Sequence, residues 1–206
     1  MTSIKICGIT NKNDAIDAAK LNVDMLGFVF YHGSKRFVRP KTAADIAGEL
    51  PPFIAKVGVF VDEKTEKVLE TAEDASLDIL QFHGDETPEY CGRFGPKYKV
   101  IKAFRIKDKS DLKKINDYDT DFYLLDTGSD DLKGGTGKTF DWKILEGFEF
   151  LRPVILSGGL TPNNVVGAIA EVAPYGVDVS TGVERAPGEK DHGLMAKFVE
   201  NVRKTG

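Results

Sequence analysis

Two side chains in this 206-residue chain are of types that move protons and stand where a strand would end: Cys7 in "SIKICGI" and Asp126 in "DFYLLDT". A thiolate accepts a proton and a carboxylic acid supplies one. A facing pair of this kind suits isomerisation, enolisation or lyase chemistry, with no cofactor and no metal expected. Neither group is ready in its free form. A cysteine of pKa about 8.5 is only a few per cent thiolate at neutral pH, and an aspartate of about 3.9 is roughly one part in a thousand protonated. The pair therefore needs surroundings that lower the first, through amides or a cation. The second must be raised, through burial or a negative neighbour such as Asp178 or the substrate's own groups.

Other polar residues fall at comparable points: His83 in "DILQFHG", Ser157-Gly158-Gly159 in "PVILSGGL", and Asp178, Ser180 and Thr181 in "GVDVSTG". Each has a plain structural reading, since a strand cysteine is often a small buried apolar residue and an aspartate after a strand often caps a turn. Their convergence on one rim is what favours chemistry. "SGGL" and "STGVE" are glycine-bearing turns whose amides can approach an anion, and they predict a phosphate site for a phosphorylated small molecule. "LKGGTGKTF", residues 132–140, looks like a nucleotide phosphate loop. That pattern requires glycine at position 132, where the chain has Leu132. The segment reads instead as a mobile flap over the rim near Asp126, anchored by Phe140 and Trp142.

The elements that must position these groups follow from the pattern. Eight short runs rich in β-branched residues occupy 3–9, 25–30, 54–61, 78–84, 99–106, 121–127, 153–160 and 176–182. Between them lie segments with apolar residues three and four apart, such as "NKNDAIDAAKL" and "EKTEKVLETAEDA". Asn11 or Asn13, Thr42, Thr87 and Thr161 (followed by Pro162) are the expected caps. The strand runs are apolar without strict alternation, as where helices cover both faces. Eight units of about 26 residues fit an α/β fold, an eight-fold (β/α) TIM barrel forming a single domain over 1–206. An open doubly wound sheet is the alternative, but "CGITNKND" lacks its glycine fingerprint.

Charge and composition narrow the function classes. With 28 basic and 32 acidic residues the net charge is -4, so no basic field advertises nucleic-acid binding. No run of about 18 apolar residues and no leader pattern occur, so the chain reads as cytoplasmic, with no membrane partner. Cys7 and Cys91 are too far apart for a metal knuckle, and His32, His83 and His192 are scattered. Cys91 is expected to pack in the core. A monomer and a homodimer are both compatible with the pattern.

Taken in order, "KICGIT", "GFVFYHGSKRFV", "VGVFVDE", "LQFHGDE", "KAFRI", "LLDT", "GGTGKTFDW", "LSGGLTPNNV" and "GVDVSTGVE" resemble the phosphoribosylanthranilate isomerases of tryptophan biosynthesis across essentially the whole chain. The resemblance implies an eight-fold barrel that performs an Amadori rearrangement without a cofactor. It implies Asp126 as general acid on the ribose ring oxygen and Cys7 as general base at C2'. Arg36 would meet the anthranilate carboxylate, and the amides of Gly158, Gly159, Ser180 and Thr181 the phosphate. Asp178 would lie near the sugar, and His83 would face the substrate with no step assigned. The family often has Pro where Lys35 stands, Ser at Thr181 and Leu at Phe82. Two other functions compete: a histidine-pathway or bifunctional phosphoribosyl isomerase, and a non-catalytic barrel that binds a phosphorylated metabolite. The first expects a carboxylate at Cys7 and a second phosphate loop in the first half. The second has no need of Cys7 and Asp126 together.

Overall fold

The computed structural model describes residues 1–127 and 141–205; the segment 132–140 read as a flap lies outside them. Eight strands, β1 (Ser3–Cys7), β2 (Met25–Val29), β3 (Ala55–Phe60), β4 (Ile79–Phe82), β5 (Lys99–Ile106), β6 (Phe122–Thr127), β7 (Val154–Leu156) and β8 (Gly176–Val179), close in chain order into a barrel. Every neighbouring pair is parallel, including β1 with β8. Around it run helices α1 (Lys12–Lys20), α2 (Pro40–Ala47), α3 (Thr65–Asp74), α4 (Pro88–Gly92), α5 (Val165–Val172) and α6 (His192–Arg203). Short 3-10 turns at Asp111–Asp117 and Trp142–Leu145 stand where the fifth and sixth crossovers would carry helices. After β8 a hairpin, β9 (Glu184–Ala186) and β10 (Glu189–Lys190), precedes α6.

Successive strand residues point to opposite faces, so each strand divides its side chains between two apolar environments. Ile4, Ile6, Leu26, Phe28, Leu80, Phe82, Leu125 and Leu156 point outward and pack under the helices in one continuous cluster. Met25, Val57, Ile79, Ile101, Leu124 and Ile155 point inward and fill the barrel. A separate inner cluster of Cys7, Val29 and Val59 lies above them. The double burial explains why the strand runs lack a polar face.

Helix starts follow capping chemistry in part. Asn11 accepts from the Asp14 amide and Thr87 from the Tyr90 amide, each capping the helix that follows. Thr42 is not a cap, because α2 begins earlier, with Pro40 in its first turn. Thr161 and Pro162 form a preceding turn in which the Asn164 side chain accepts from the Thr161 amide, and α5 begins only at Val165. Cys91 is buried among Phe82, Phe94 and their neighbours in the outer cluster, as expected. No helix among the described residues is long and apolar enough to cross a membrane.

A buried ion pair ties the loops after β3 and β4. Lys102 projects from β5 to Glu86 Oε2 at 2.8 Å and to the Gly84 carbonyl at 2.6 Å, and Glu86 in turn accepts from the Asp62 and Gly84 amides. Both side chains are almost wholly enclosed, at 3% and 2% exposure, so removing one strands the other. Lys102→Met is expected to lower the unfolding free energy by about 3–5 kcal/mol in urea titration. Lys102→Met with Glu86→Gln should recover part of that loss, and an unmoved midpoint in the single variant would show that the pair holds nothing there.

Candidate active site

The inward, top-layer positions are where the polar residues of the strands meet. Lys5 and Cys7 are two apart on β1 and share the inner face. Lys5 is fully buried, its Nζ 2.8 Å from Asp178 Oδ1, and Asp178 Oδ2 accepts from Ser157 Oγ at 3.1 Å. Gly27 on β2 makes room for them. A Cβ there would lie 2.7 Å from Cys7 Sγ and 3.2 Å from Lys5 Nζ, inside contact distance of both. Lys5 of β1, Asp178 of β8 and Ser157 just after β7 thus form a polar chain in the floor of the site.

The thiol in this setting does not meet the expectation of a lowered pKa. Burial pushes Cys7 up; Lys5 and Lys190 pull it down, Asp178 pushes it up, and the balance lies above the ordinary thiol value. Lys5, although burial opposes its charge, is held above the usual lysine value by Asp178 and Cys7. Asp126 is placed differently. Its side chain is 27% exposed rather than buried, and the charge of Asp178 is taken up by Lys5.

Across the barrel, β4 and β6 supply a second chain. His83 Nε2 is 3.1 Å from Asp126 Oδ2, and His83 Nδ1 is 2.9 Å from Gln81 Nε2. With the Gln81 amide donating to Nδ1, the imidazole carries its proton on Nε2 and donates it to the carboxylate. Gln81 is 1% exposed, and its Oε1 is buried with no hydrogen-bond partner among the described residues. His83 therefore touches the candidate acid directly.

The turns after β7 and β8 meet at the rim. Gly158 and Gly159 have φ of 80° and 65°, a left-handed pair that directs consecutive amides to one side. No acceptor among the described residues engages either amide. The Asn164 side chain donates to the Gly159 carbonyl and steadies this turn. Ser180 and Thr181 follow β8, and Gly182 lies so close to Leu160 that a Cβ there would sit 1.9 Å from its carbonyl oxygen.

Arg36, on the loop after β2, reaches the same mouth. Its Nε and Nη2 donate to the two oxygens of Glu184 at 2.8 and 2.6 Å, and Nη2 also lies 3.3 Å from Thr181 Oγ1. Lys190 Nζ donates to Glu184 Oε1 at 3.0 Å from the far side. A cavity of about 270 Å³ is lined by Cys7, Arg36, Gln81, His83, Asp126, Ser157, Asp178 and Ser180, joined by Val29, Val59 and Tyr31. A larger outer groove of about 530 Å³, between α2 and α3, contains neither Cys7 nor Asp126. The fold thus gathers Cys7, Arg36, His83, Asp126, Asp178 and Ser180 around one cavity, with Gly158, Gly159 and Thr181 in the adjoining turns. Reading by residue type overlooked Lys5, Glu184 and Lys190. Only Lys5 left a signal, a lysine two positions before Cys7 inside a strand run; Lys190 sits in a polar hairpin like any solvated lysine.

The model of the N-(5'phosphoribosyl)anthranilate isomerase family matches residues 4–201. An N-(5'-phosphoribosyl)anthranilate isomerase of Geotalea uraniireducens is 49% identical over 203 residues, spanning 98% of this chain and 99% of the relative. The crystal structure of phosphoribosyl anthranilate isomerase from Thermotoga maritima superposes with a TM-score of 0.93 at 42% identity, covering 99% of this chain and all of that one. A phosphoribosyl anthranilate isomerase in complex with reduced 1-(o-carboxyphenylamino)-1-deoxyribulose 5-phosphate superposes with a TM-score of 0.87 at 39% identity, over 99% of this chain and all of that one. By the extent of the match and by its barrel, the chain belongs to the N-(5'-phosphoribosyl)anthranilate isomerase family.

Proposed function

We propose that this chain isomerises N-(5'-phosphoribosyl)anthranilate to 1-(2-carboxyphenylamino)-1-deoxyribulose 5-phosphate, with Asp126 as general acid and Cys7 as general base. The observation that carries the reading is their placement on opposite strands, β6 and β1, lining one cavity beside a glycine-lined anion turn. Asp126 gives its proton to the ribose ring oxygen, the bond from C1' to that oxygen breaks, and the anilino nitrogen becomes an iminium. That cation acidifies the C2' proton, which the Cys7 thiolate removes to leave an enolamine. Tautomerisation takes one proton at C1' and releases one from the 2'-hydroxyl, so the net reaction consumes none. The Gly158, Gly159, Ser180 and Thr181 amides hold the phosphate, Asp178 stands by the sugar, and the Arg36 fork takes the carboxylate.

The histidine relay serves the acid. For Asp126 to hold a proton against His83, Nε2 must accept, which requires the Gln81 amide to turn so that Oε1 receives Nδ1–H. In the arrangement seen, with Oε1 unpartnered, Nε2–H points to Asp126 Oδ2 instead. Nitrogen-15 spectra of His83 should show the Nε2–H tautomer in ligand-free enzyme and lose that preference in Gln81→Met. The same tautomer with equal preference in both proteins would remove Gln81 from the relay.

Cys7→Ala and Asp126→Asn are each expected to lower kcat by about 10²-fold or more, followed as loss of fluorescence of freshly made substrate. Near wild-type turnover in both would end the acid/base assignment. Wild type silent on this substrate but active on the larger histidine-pathway one would point to the sister isomerase.

A third expectation concerns pH. Because the thiolate is the reactive form and the Cys7 pKa is raised, kcat/KM should still be climbing above neutral pH. Lys5→Met removes the cation that pulls this pKa down, so the rising limb should move to higher pH. Iodoacetamide alkylation of Cys7, in a Cys91→Ala background, should move with it. Adding Asp178→Asn removes the opposing negative charge and should bring the limb partly back. Coincident profiles in all three proteins would mean that Lys5 does not tune the thiol.

A further inference from the structure

The strand-8 hairpin contributes a charge arrangement that the acid/base chemistry leaves unused. Glu184 occupies one edge of the Arg36 guanidinium, through Nε and Nη2, and so fixes its plane. The other edge, ending in Nη1, has no partner among the described residues, while Thr181 Oγ1 stands 3.3 Å from Nη2. A guanidinium paired with a carboxylate in this way has no net charge with which to attract a second carboxylate. Here the carboxylate is shared. Lys190 Nζ approaches Glu184 Oε1 at 3.0 Å from behind, with 0% exposure against 4% for Glu184. Burial pulls Lys190 below the usual lysine value and Glu184 opposes that pull; with the lysine charged, two cations around one anion leave a single surplus positive charge, and of these groups only Arg36, at 23% side-chain exposure, opens to the cavity.

The lysine is held in place independently. Nζ also donates to the Cys7 carbonyl at 2.6 Å and the Ser180 carbonyl at 3.2 Å, and the Lys190 amide donates to Asp14 Oδ2 on α1 at 2.8 Å. Gly188, at the hairpin tip, donates its amide to Glu184 Oε1 and accepts from the Thr10 hydroxyl. Hairpin, α1 and the ends of β1 and β8 therefore fix Glu184 before any ligand arrives. Pre-organisation of this kind spares an arginine side chain the rotamer entropy it would otherwise lose on binding.

We propose that Glu184 and Lys190 are positioning residues for substrate selection: Glu184 aims Arg36, and Lys190 cancels the charge of Glu184 so that Arg36 keeps one positive charge for an aryl carboxylate. The inference rests on the reading above, in which Arg36 meets that carboxylate. Its consequence is selectivity for an aromatic amine bearing an ortho carboxylate over one lacking it.

The test compares kcat/KM for N-(5'-phosphoribosyl)anthranilate with kcat/KM for N-(5'-phosphoribosyl)aniline, which lacks the carboxylate, and reads their ratio. Lys190→Met should lower the ratio about tenfold, the scale of one hydrogen bond to a charged group. Lys190→Met with Glu184→Gln restores the surplus charge and should return the ratio to within about threefold of wild type. Both variants lose the same carbonyl contacts, so a structural role for the lysine predicts no difference between them. A wild-type ratio in Lys190→Met, or a double variant no better than the single, would overturn the inference.

Where Lys190→Met fails to fold, Glu184→Gln alone decides. It keeps an acceptor for Arg36 and raises the surplus to two, so KM for the anthranilate substrate should become more sensitive to added salt. Salt dependence identical to wild type would overturn the inference. Arg36→Met separates the two levels. If it too leaves the ratio unchanged, the carboxylate assignment fails; if it abolishes the preference while Lys190→Met does not, only the positioning inference fails.

Discussion

In a closed parallel barrel a strand residue has two destinations, the interior or the layer beneath the helices, and its neighbour takes the other. Parity along each strand therefore decides which groups can meet. Lys5 and Cys7 share a parity on β1, as do Gln81 and His83 along β4 and into its exit, and Asp178 and Ser180 on and after β8. In each case the residues between and beside them, Ile6, Phe82 and Val179, belong to the outer apolar layer. A one-residue slip of β1 would send Cys7 under the helices and bring Ile6 to the mouth. The outer layer, with Leu26, Phe28, Leu80 and Leu125 fully enclosed, makes that slip costly. Apolar packing on the far side of each strand is thus what holds the polar groups at the cavity.

The buried charges have another origin. Lys5 with Asp178, Lys102 with Glu86, and Lys190 with Glu184 are each almost entirely removed from water. Desolvation makes such pairs poor contributors to stability compared with apolar residues of the same size. Their surroundings explain them better. The first stands beside the thiol of Cys7, the second gathers the amides of the loops after β3 and β4, and the third backs the carboxylate that holds Arg36. The second and third lie where the strands finish and the first in the layer beneath Cys7, so stability is exchanged around the site for position and charge.

How far the sequence disclosed this depended on whether the signal was local. The alternation of β-branched runs with helical segments foretold the eight strands, because both elements repeat with short periods. Thr87 before Pro88 foretold a helix start for the same reason. Thr161 before Pro162 did not, since the Asn164 side chain bonds back to the Thr161 amide and makes a turn of the same residues. The glycine turn after β7 was legible as a turn because glycine marks its own backbone freedom, with φ of 80° and 65° at Gly158 and Gly159. The environment of Cys7 was not. Its cation comes from two residues away, but the burial that outweighs that cation involves residues distant in sequence, such as Val29 and Val59. Glu184 and Lys190 are ordinary charged residues of a short hairpin, and only the tertiary fold brings them to Arg36 from 148 and 154 positions away.

The proposed acid and base stand in unequal surroundings, and the inequality matches the order of the proposed steps. Asp126 is partly open to water and bonded to His83. Cys7 is 8% exposed and held in its thiol form by burial, with Lys5 beneath it as the counterweight. Ring opening needs only the acid. It also places an iminium cation next to the carbon whose proton must leave, and a positive charge in a poorly solvated cavity favours thiolate over thiol. The first step therefore supplies the condition for the second, and a site that keeps its base protonated at rest loses nothing by doing so.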